Sequence, residues 1–564
     1  MSIRPTACQN PPVSDWRHKL SRPGVALVIV LWVVAAALSL GQRDLWAPDE
    51  PKYALVAKEM LASGEFLIPH VNGEPYPDKP PLMFWLIAAA SLLTGGVGQV
   101  AAVLPSLVAG ALALVGIARL TRAVGAEGLS PLLSVGMAAV SFRFMMQSTT
   151  GQLDMLLTAC TTWAMLGLVR GIGWNESTPP NRRALIVAFG LMGLGTLAKG
   201  PVALILPLGG VVVGSWWTGR LARCRALLDL RAVLAFFLVL GAWLVPAAIH
   251  ALRSGNEAWL TNIVFKQTAV RYAASWHHDQ PVWYFLRVIV TDTFPLSLLL
   301  PAAIWGLRER GEETFARARR LMAGAVLFTL VFFSLPAGKR DLYLLPSYPW
   351  LAVWLALDMR WRMSRGKSAL VLPRLGALVL ALLAAGAVPA LWRFVPPLAA
   401  AEGLAINLMR ISLALAAISL LAFALALMPF AGRYLKWLGV SWLALYAALF
   451  VDVYPTVDQA RSTRRFFESI RDVIRDDAPG GMVEFRAQYG LYAGRLDSAE
   501  PGDDAGLERL AARLDGSEPF WVICEQSNLK PLLRRLKSSS CVALRRRVSG
   551  DDVIVLANPS ALKP

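Results

Sequence analysis

The sequence predicts a polytopic α-helical membrane protein of about 13 transmembrane helices, followed by a small soluble α/β domain. Three observations carry this. Of the 564 residues, 56% are hydrophobic and only 17% charged, which is not the balance of a soluble chain. Apolar runs near the roughly 20 residues that a bilayer core requires recur through residues 1–454. From residue 455 to 564 they give way to short alternating and helically spaced segments.

The first run, 24–41, follows Arg4, Arg17, Lys19 and Arg22 and lacks a small-residue cleavage site after it, so it reads as a retained span with its N-terminus inside. Hydropathy then offers 81–96, 99–120, 130–147, 153–171, 183–198, 200–218, 232–252, 285–307, 319–336, 341–359, 368–393, 406–428 and 433–453. Segment 81–96 is short and opens at Pro80-Pro81. Laid along the interface, it leaves the loops holding Arg119 and Arg122, Arg182 and Arg183, Arg220 to Arg225, Arg317 to Arg320, Arg360 to Lys367, and Arg433 with Lys436 on the side of the basic N-terminus. Thirteen spans remain, with the C-terminus outside. The net charge of +18 is thus spread over inner loops, which argues against nucleic acid as a partner.

The outer face receives the large loops 42–97 and 253–284, the turns before Asp154, at Lys199 and at 337–341, and the tail. In the tail, "GGMVEFRAQYGLYAG", "PFWVICE" and "DDVIVLANP" alternate like strands, while "AGLERLAARL" and "LKPLLRRLKSS" have helical spacing. Cys524 and Cys541 are the one pair placed outside, and a disulfide between them is expected.

Loop 42–97 is where chemistry gathers. Asp49 and Glu50 precede a helical stretch closing at Gly64, so helix capping explains them as readily as function does. Tyr53, His70, Tyr76, Asp78 and Lys79 share the loop, and Lys79 abuts the rigid Pro80-Pro81 corner. Lys79 reads either as a snorkelling anchor or as a cation for a phosphate held at the bilayer surface. Tyr53, Tyr76 and Tyr343 read as interfacial belt residues or as hydrogen-bonding groups. His277 and His278 lie in loop 253–284, and with Asp78 they offer ligands for a divalent metal such as Zn2+, against the plainer reading of solvated side chains.

The stretch "LWAPDEPKYALVAKEMLASGEFLIPHVNGEPYPDKPPLMFWL" resembles the first outer loop of polyprenyl-phosphate-dependent membrane glycosyltransferases of the GT-C fold. Within that group it resembles the lipid A aminoarabinose transferase family, related to protein O-mannosyltransferases. The resemblance continues through "TTGQLDMLLTACTTW", "GLGTLAKGPVALILP", "RYAASWHHDQPVWYFL" and "AGKRDLYLLPSYPWL". It implies a multi-pass protein of the bacterial inner membrane with periplasmic interfacial helices and a periplasmic C-terminal domain. It implies transfer of aminoarabinose from undecaprenyl phosphate to lipid A phosphate, conferring resistance to polymyxin and cationic peptides. It implies Asp49, Asp154 and Lys79 as catalytic groups, and Glu50, Tyr53, Tyr76, Lys199, Arg271, Lys339 and Tyr343 as donor- or acceptor-binding. The expected partners are the undecaprenyl phosphate-linked sugar, lipid A and membrane lipids, and the expected state is a monomer. Two other readings stay open: a Ser or Thr hydroxyl of a protein as acceptor, and, from another class, a membrane transporter, against which the clustering of charge at one face speaks.

Overall fold

In a computed structural model the described residues are 16–175, 179–265, 279–308, 313–365, 370–401, 406–427, 432–493, 496–537, 541–548 and 551–563. Arg271, His277 and His278 lie outside them. The chain is a multi-pass helical membrane protein with a mixed-sheet domain at its C-terminal end.

The first helices are α1 (Trp16–Ala37), α2 (Asp49–Ser63), α3 (Leu82–Thr94), α4 (Gln99–Ala123), α5 (Ser130–Val140), α6 (Phe142–Ser148), α7 (Asp154–Gly171), α8 (Arg182–Lys199) and α9 (Val202–Trp217). Helix α7 lies at the centre, packed on α4, α8 and α9. Of its residues all but Trp163 and Arg170 are buried, as befits a helix that is apolar or small on every side. This enclosure fixes Asp154, its first residue.

The count of spans differs from the thirteen expected. Among the described residues five helices are long and apolar enough to cross a bilayer, or six with one bent pair counted once. The difference has local causes. Expected span 130–147 breaks at Ser141, whose backbone is extended, and Phe142 N–H donates to the distant Phe294 carbonyl at 3.2 Å. Expected span 285–307 is two helices, Tyr284–Asp292 and Leu296–Gly306, bent by 108°. Expected span 341–359 opens with a 3-10 segment, Asp341–Ser347, before Tyr348–Arg365. Helix α3 has 13 residues and ends at Gly95, left-handed at φ 80°. It has the short length expected of segment 81–96.

Between α2 and α3 the chain makes a hairpin of β1 (His70–Val71) and β2 (Glu74–Pro75). Asn72 and Gly73 both have positive φ, the pairing a two-residue turn demands. Glu59 of α2 accepts from both turn N–H groups, at 2.6 and 3.0 Å, and so pins the hairpin to the helix.

In the C-terminal domain, β3 (Gly480–Val483), β4 (Ser498–Glu500), β5 (Trp521–Glu525), β6 (Cys541–Val548) and β7 (Asp551–Ala557) form one sheet in the order β4-β3-β5-β7-β6. The β3, β4 and β5 contacts are parallel and those of β7 antiparallel. Along β7, Val553, Val555 and Ala557 enter one core and Ile554 and Leu556 the other, so alternation covers both faces of the sheet. "AQYGLYA", read as part of a strand, is instead the helix Ala487–Ala493. The expected Cys524–Cys541 disulfide is not formed: Cys524 is a buried free thiol. The two cysteines sit on β5 and β6 with β7 between them. Two strand spacings, about 10 Å, exceed the reach of a disulfide.

Candidate active site

Helices α7 and α8 run antiparallel, which brings the N-terminus of one level with the C-terminus of the other. An acid is favoured at the first end and a base at the second. Asp154 and Lys199 occupy those ends and meet in an ion pair. Both are mostly withdrawn from solvent, with side chains 6% and 18% exposed. The Lys199 ammonium also stands 5.5 Å from the centre of the Tyr343 ring, a cation–π distance.

Asp49 approaches from α2, in the segment between α1 and α3. The residue preceding α2 is Pro48, and no side chain caps the helix, so Asp49 lies in its first turn rather than at its cap. Its Oδ2 is 3.4 Å from Gln152 Nε2 and 3.9 Å from Arg340 Nη1. Tyr53, one turn further along α2, is buried against Phe84. Burial first, then Asp49, Tyr76 and Asp154, push its phenol well above the usual range, with Arg340 pulling the other way. One side chain thus feels both carboxylates and the arginine together. Tyr76 touches the same Phe84 ring and receives the Lys52 ammonium over its face at 5.9 Å.

Two of the sequence-predicted groups are engaged structurally. Glu50 is 2% exposed and forms a bidentate pair with Arg43 at 2.5 and 2.8 Å. It also accepts from Trp46 N–H at 2.9 Å and Gly151 N–H at 2.6 Å. Arg43 in turn donates to the carbonyls of Asp44 and Thr149. Burial opposes its charge, but Glu50, with Tyr454 and Asp458 adding to it, holds the guanidinium above its usual pKa. The pair therefore stitches the segment between α1 and α3 to residues 149–151, just ahead of Asp154. Lys339 is 3% exposed and donates to the carbonyls of Gln280, Pro336 and Ala337. Its neighbour Arg340 is the cation that faces Asp49.

Lys79 is half-buried, and its ammonium donates to the Asp78 carbonyl at 3.1 Å. Among the described residues no three His, Cys, Asp or Glu side chains gather to hold a metal. The suggested ligands His277 and His278 fall outside those residues, and Asp78 has no such companions within them. Sequence reasoning missed Arg43, Arg340, Gln152 and a second cluster. There Arg143 pairs with Asp292 at 2.8 and 2.9 Å, and Tyr284 donates to Asp341.

Residues 78–245 match the family model described as dolichyl-phosphate-mannose-protein mannosyltransferase. An undecaprenyl phosphate-α-4-amino-4-deoxy-L-arabinose arabinosyl transferase of Pseudomonas aeruginosa is 30% identical over 385 residues, 64% of this chain and 65% of that protein. Its counterpart from Pectobacterium carotovorum is 28% identical over 337 residues, 58% of each chain. The chain thus spans less than two thirds of the length of these relatives. In three dimensions it is similar to ArnT from Cupriavidus metallidurans without ligand, at a TM-score of 0.72 and 18% identity, covering 96% of this chain and 98% of the other. It is equally similar, at 0.72, to the same protein bound to undecaprenyl phosphate, covering 97% and 99%. By sequence the chain is similar to the aminoarabinose arabinosyl transferases and, over residues 78–245, to the dolichyl-phosphate-mannose-protein mannosyltransferases, each over part of its length, and its fold is that of ArnT.

Proposed function

We propose that the chain transfers 4-amino-4-deoxy-L-arabinose from undecaprenyl phosphate to a lipid A phosphate, at the periplasmic face of the bacterial inner membrane. The observation that carries this reading is the Asp154–Lys199 pair at the shared end of α7 and α8, with Asp49, Tyr53 and Arg340 gathered by it. Acids and cations drawn from four separate segments to one end of a helical bundle suit a charged headgroup whose tail stays in lipid. The activity of the arabinosyl transferase relatives and the undecaprenyl phosphate bound in the ArnT structure support the donor.

In the step proposed, the bond from sugar C1 to the donor phosphate oxygen breaks with its electron pair leaving on the phosphate. An acceptor phosphate oxygen supplies the pair for the new C1–O bond. Positive character develops on the sugar and negative charge on the leaving phosphate, so preplaced cations lower the barrier. Lys79, Arg340 and Lys199 take that role, with Arg340 in place of the expected Lys339. An ionised phosphate acceptor carries no proton to remove, so Asp49 and Asp154 orient the acceptor and face the sugar's ammonium. The bulk of lipid A would then lose negative charge and bind cationic peptides less well.

The test is lipid A mass spectrometry in cells with and without the gene, under conditions that induce lipid A modification. Loss of the aminoarabinose increment together with raised polymyxin sensitivity is expected on deletion. An unchanged spectrum refutes the reading. The family model matched over 78–245 favours one second reading, a protein Ser or Thr hydroxyl as acceptor. That version requires Asp49 as general base and yields a glycopeptide.

A further inference from the structure

Among the described residues the C-terminal domain supplies none of the groups gathered around Asp154, yet it packs on α2 and bonds to the loop ahead of it, where the buried Asp44 is the main anchor. The Asp44 carboxylate accepts from three groups of that domain. Tyr492 O–H donates to Oδ1, while Ser462 Oγ and Arg464 N–H donate to Oδ2 at 3.0 and 3.1 Å. Asp44 N–H donates to Asp458 Oδ1 at 2.6 Å, and Trp46 Nε1 donates to the same oxygen at 3.0 Å. Burial, then Asp44 itself, push the Tyr492 phenol up, which keeps it a proton donor.

The next residue along is Arg43. Its guanidinium donates to the Asp44 carbonyl, grips Glu50 and reaches the Thr149 carbonyl. Glu50 then holds Gly151 N–H and, through the chain, its neighbour Asp49. The connection from Tyr492 runs through hydrogen bonds of 2.5 to 3.1 Å and the short Tyr492 bond to Glu50, one covalent step from Asp49, and to Gly151, from which the short stretch Gln152-Leu153 leads to Asp154. Buried charge-assisted bonds of this kind are strong and have little slack.

We propose that Asp44 is a positioning residue through which the C-terminal domain sets the spacing of Asp49 and Asp154, so that the domain is required for turnover while contributing no reacting group. The inference rests on the transfer reading for its kinetic consequence, but not for its structural one. Misplacement of a reacting group by about 1 Å costs up to about 100-fold in rate.

The experiment uses the full-length protein in detergent and compares wild type with Tyr492→Phe and Asp44→Asn, two changes that preserve shape. Hydrogen exchange is read on peptides spanning 43–50 and 149–154, and steady-state transfer is measured with the undecaprenyl phosphate-linked sugar. The expected result is faster exchange in both segments in both variants. With it comes a fall in kcat of about 10-fold or more, a donor KM within about twofold of wild type, and no additivity in the double variant. Unchanged exchange in 149–154 in either variant overturns the inference, as does a raised KM with kcat intact. If wild type itself transfers nothing, the transfer reading fails, and the exchange arm still decides the positioning claim. Should Asp44→Asn not fold, Tyr492→Phe, which removes one oxygen, carries the same two readouts alone.

Discussion

Glu50 and Arg43, seven residues apart in the segment between α1 and α3, meet in a buried bidentate pair whose acceptor oxygens also hold Gly151 of a distant turn. Their side chains are 3% and 2% exposed. Removing one partner of such a pair leaves an uncompensated charge, at a cost of about 3–5 kcal/mol, whereas replacing both with apolar residues is often neutral. Glu50→Gln is therefore expected to lower the melting temperature in detergent sharply, and Arg43→Met with Glu50→Leu to restore much of it. A double variant no more stable than the single one contradicts this account of the pair.

Lys339 and Arg340 are adjacent and differ in role. Lys339 spends its ammonium on backbone carbonyls, while Arg340 points at Asp49. Lys339→Met strands those buried carbonyls, each worth about 1–3 kcal/mol, and is expected to reduce stability. Arg340→Ala is expected to leave melting within about 0.5 kcal/mol of wild type and to lower transfer about 10- to 100-fold. The reverse pattern in paired melting and transfer assays excludes the assignment.

Asp49→Asn separates the two acceptor classes. A general base contributes about 100- to 10,000-fold, so a protein hydroxyl acceptor predicts a loss of that size. With an ionised phosphate acceptor, Asp49→Asn is expected to cost about 10-fold. Transfer rates of wild type and Asp49→Asn, measured with lipid A and with a Ser- and Thr-containing peptide as acceptors, distinguish the two.

Tyr53 and Tyr492 both have phenols raised above the usual value, chiefly by burial and then by nearby carboxylates. A raised native pKa means that, once the pH exceeds about 10, the unfolded phenol gives up its proton while the folded one keeps it. The unfolded state then binds fewer protons, and stability falls as pH rises further. Below about pH 10 neither phenol adds any slope. Tyr53→Phe and Tyr492→Phe should each flatten the alkaline limb of a melting curve against pH. An alkaline limb as steep as wild type in both variants counts against the burial of these phenols.

Burial also pushes the Cys524 thiol up to about 12, and Cys524 is unpaired. It should resist alkylation in the folded protein at neutral pH, because the thiolate is the reactive form. Melting should be the same with and without reductant. A reductant-dependent shift, or a Cys524–Cys541 peptide in a non-reducing digest, would reinstate the disulfide.

Much of this arrangement is legible in the sequence. Charge counting put the turns at Asp154 and Lys199 on one side of the membrane, and the structure joins them. The helix after Pro48 ends at Gly64 as composition suggested, because glycine accepts the left-handed turn there. The illegible parts depend on long-range partners. Which of Lys339 and Arg340 turns inward is settled by the pairing of Asp279 with Gly338 and by the Gln280 carbonyl, some sixty residues upstream. The break at Ser141 answers to Phe294. Glu50 carries the same charge and exposure to the eye of a sequence reader as Asp49, and only the location of Arg43 tells a structural acid from one that faces the site.

Under the proposed reading, acids and cations meeting at the shared end of α7 and α8 move a lipid-borne sugar to a lipid-borne phosphate. The most direct measurement places the purified chain in vesicles with lipid A and undecaprenyl phosphate carrying radiolabelled aminoarabinose, beside Asp154→Asn as the control. The account predicts label on lipid A, free undecaprenyl phosphate in equal amount, and neither with the variant. Label that stays on the donor with wild type, or that moves equally well with Asp154→Asn, contradicts it.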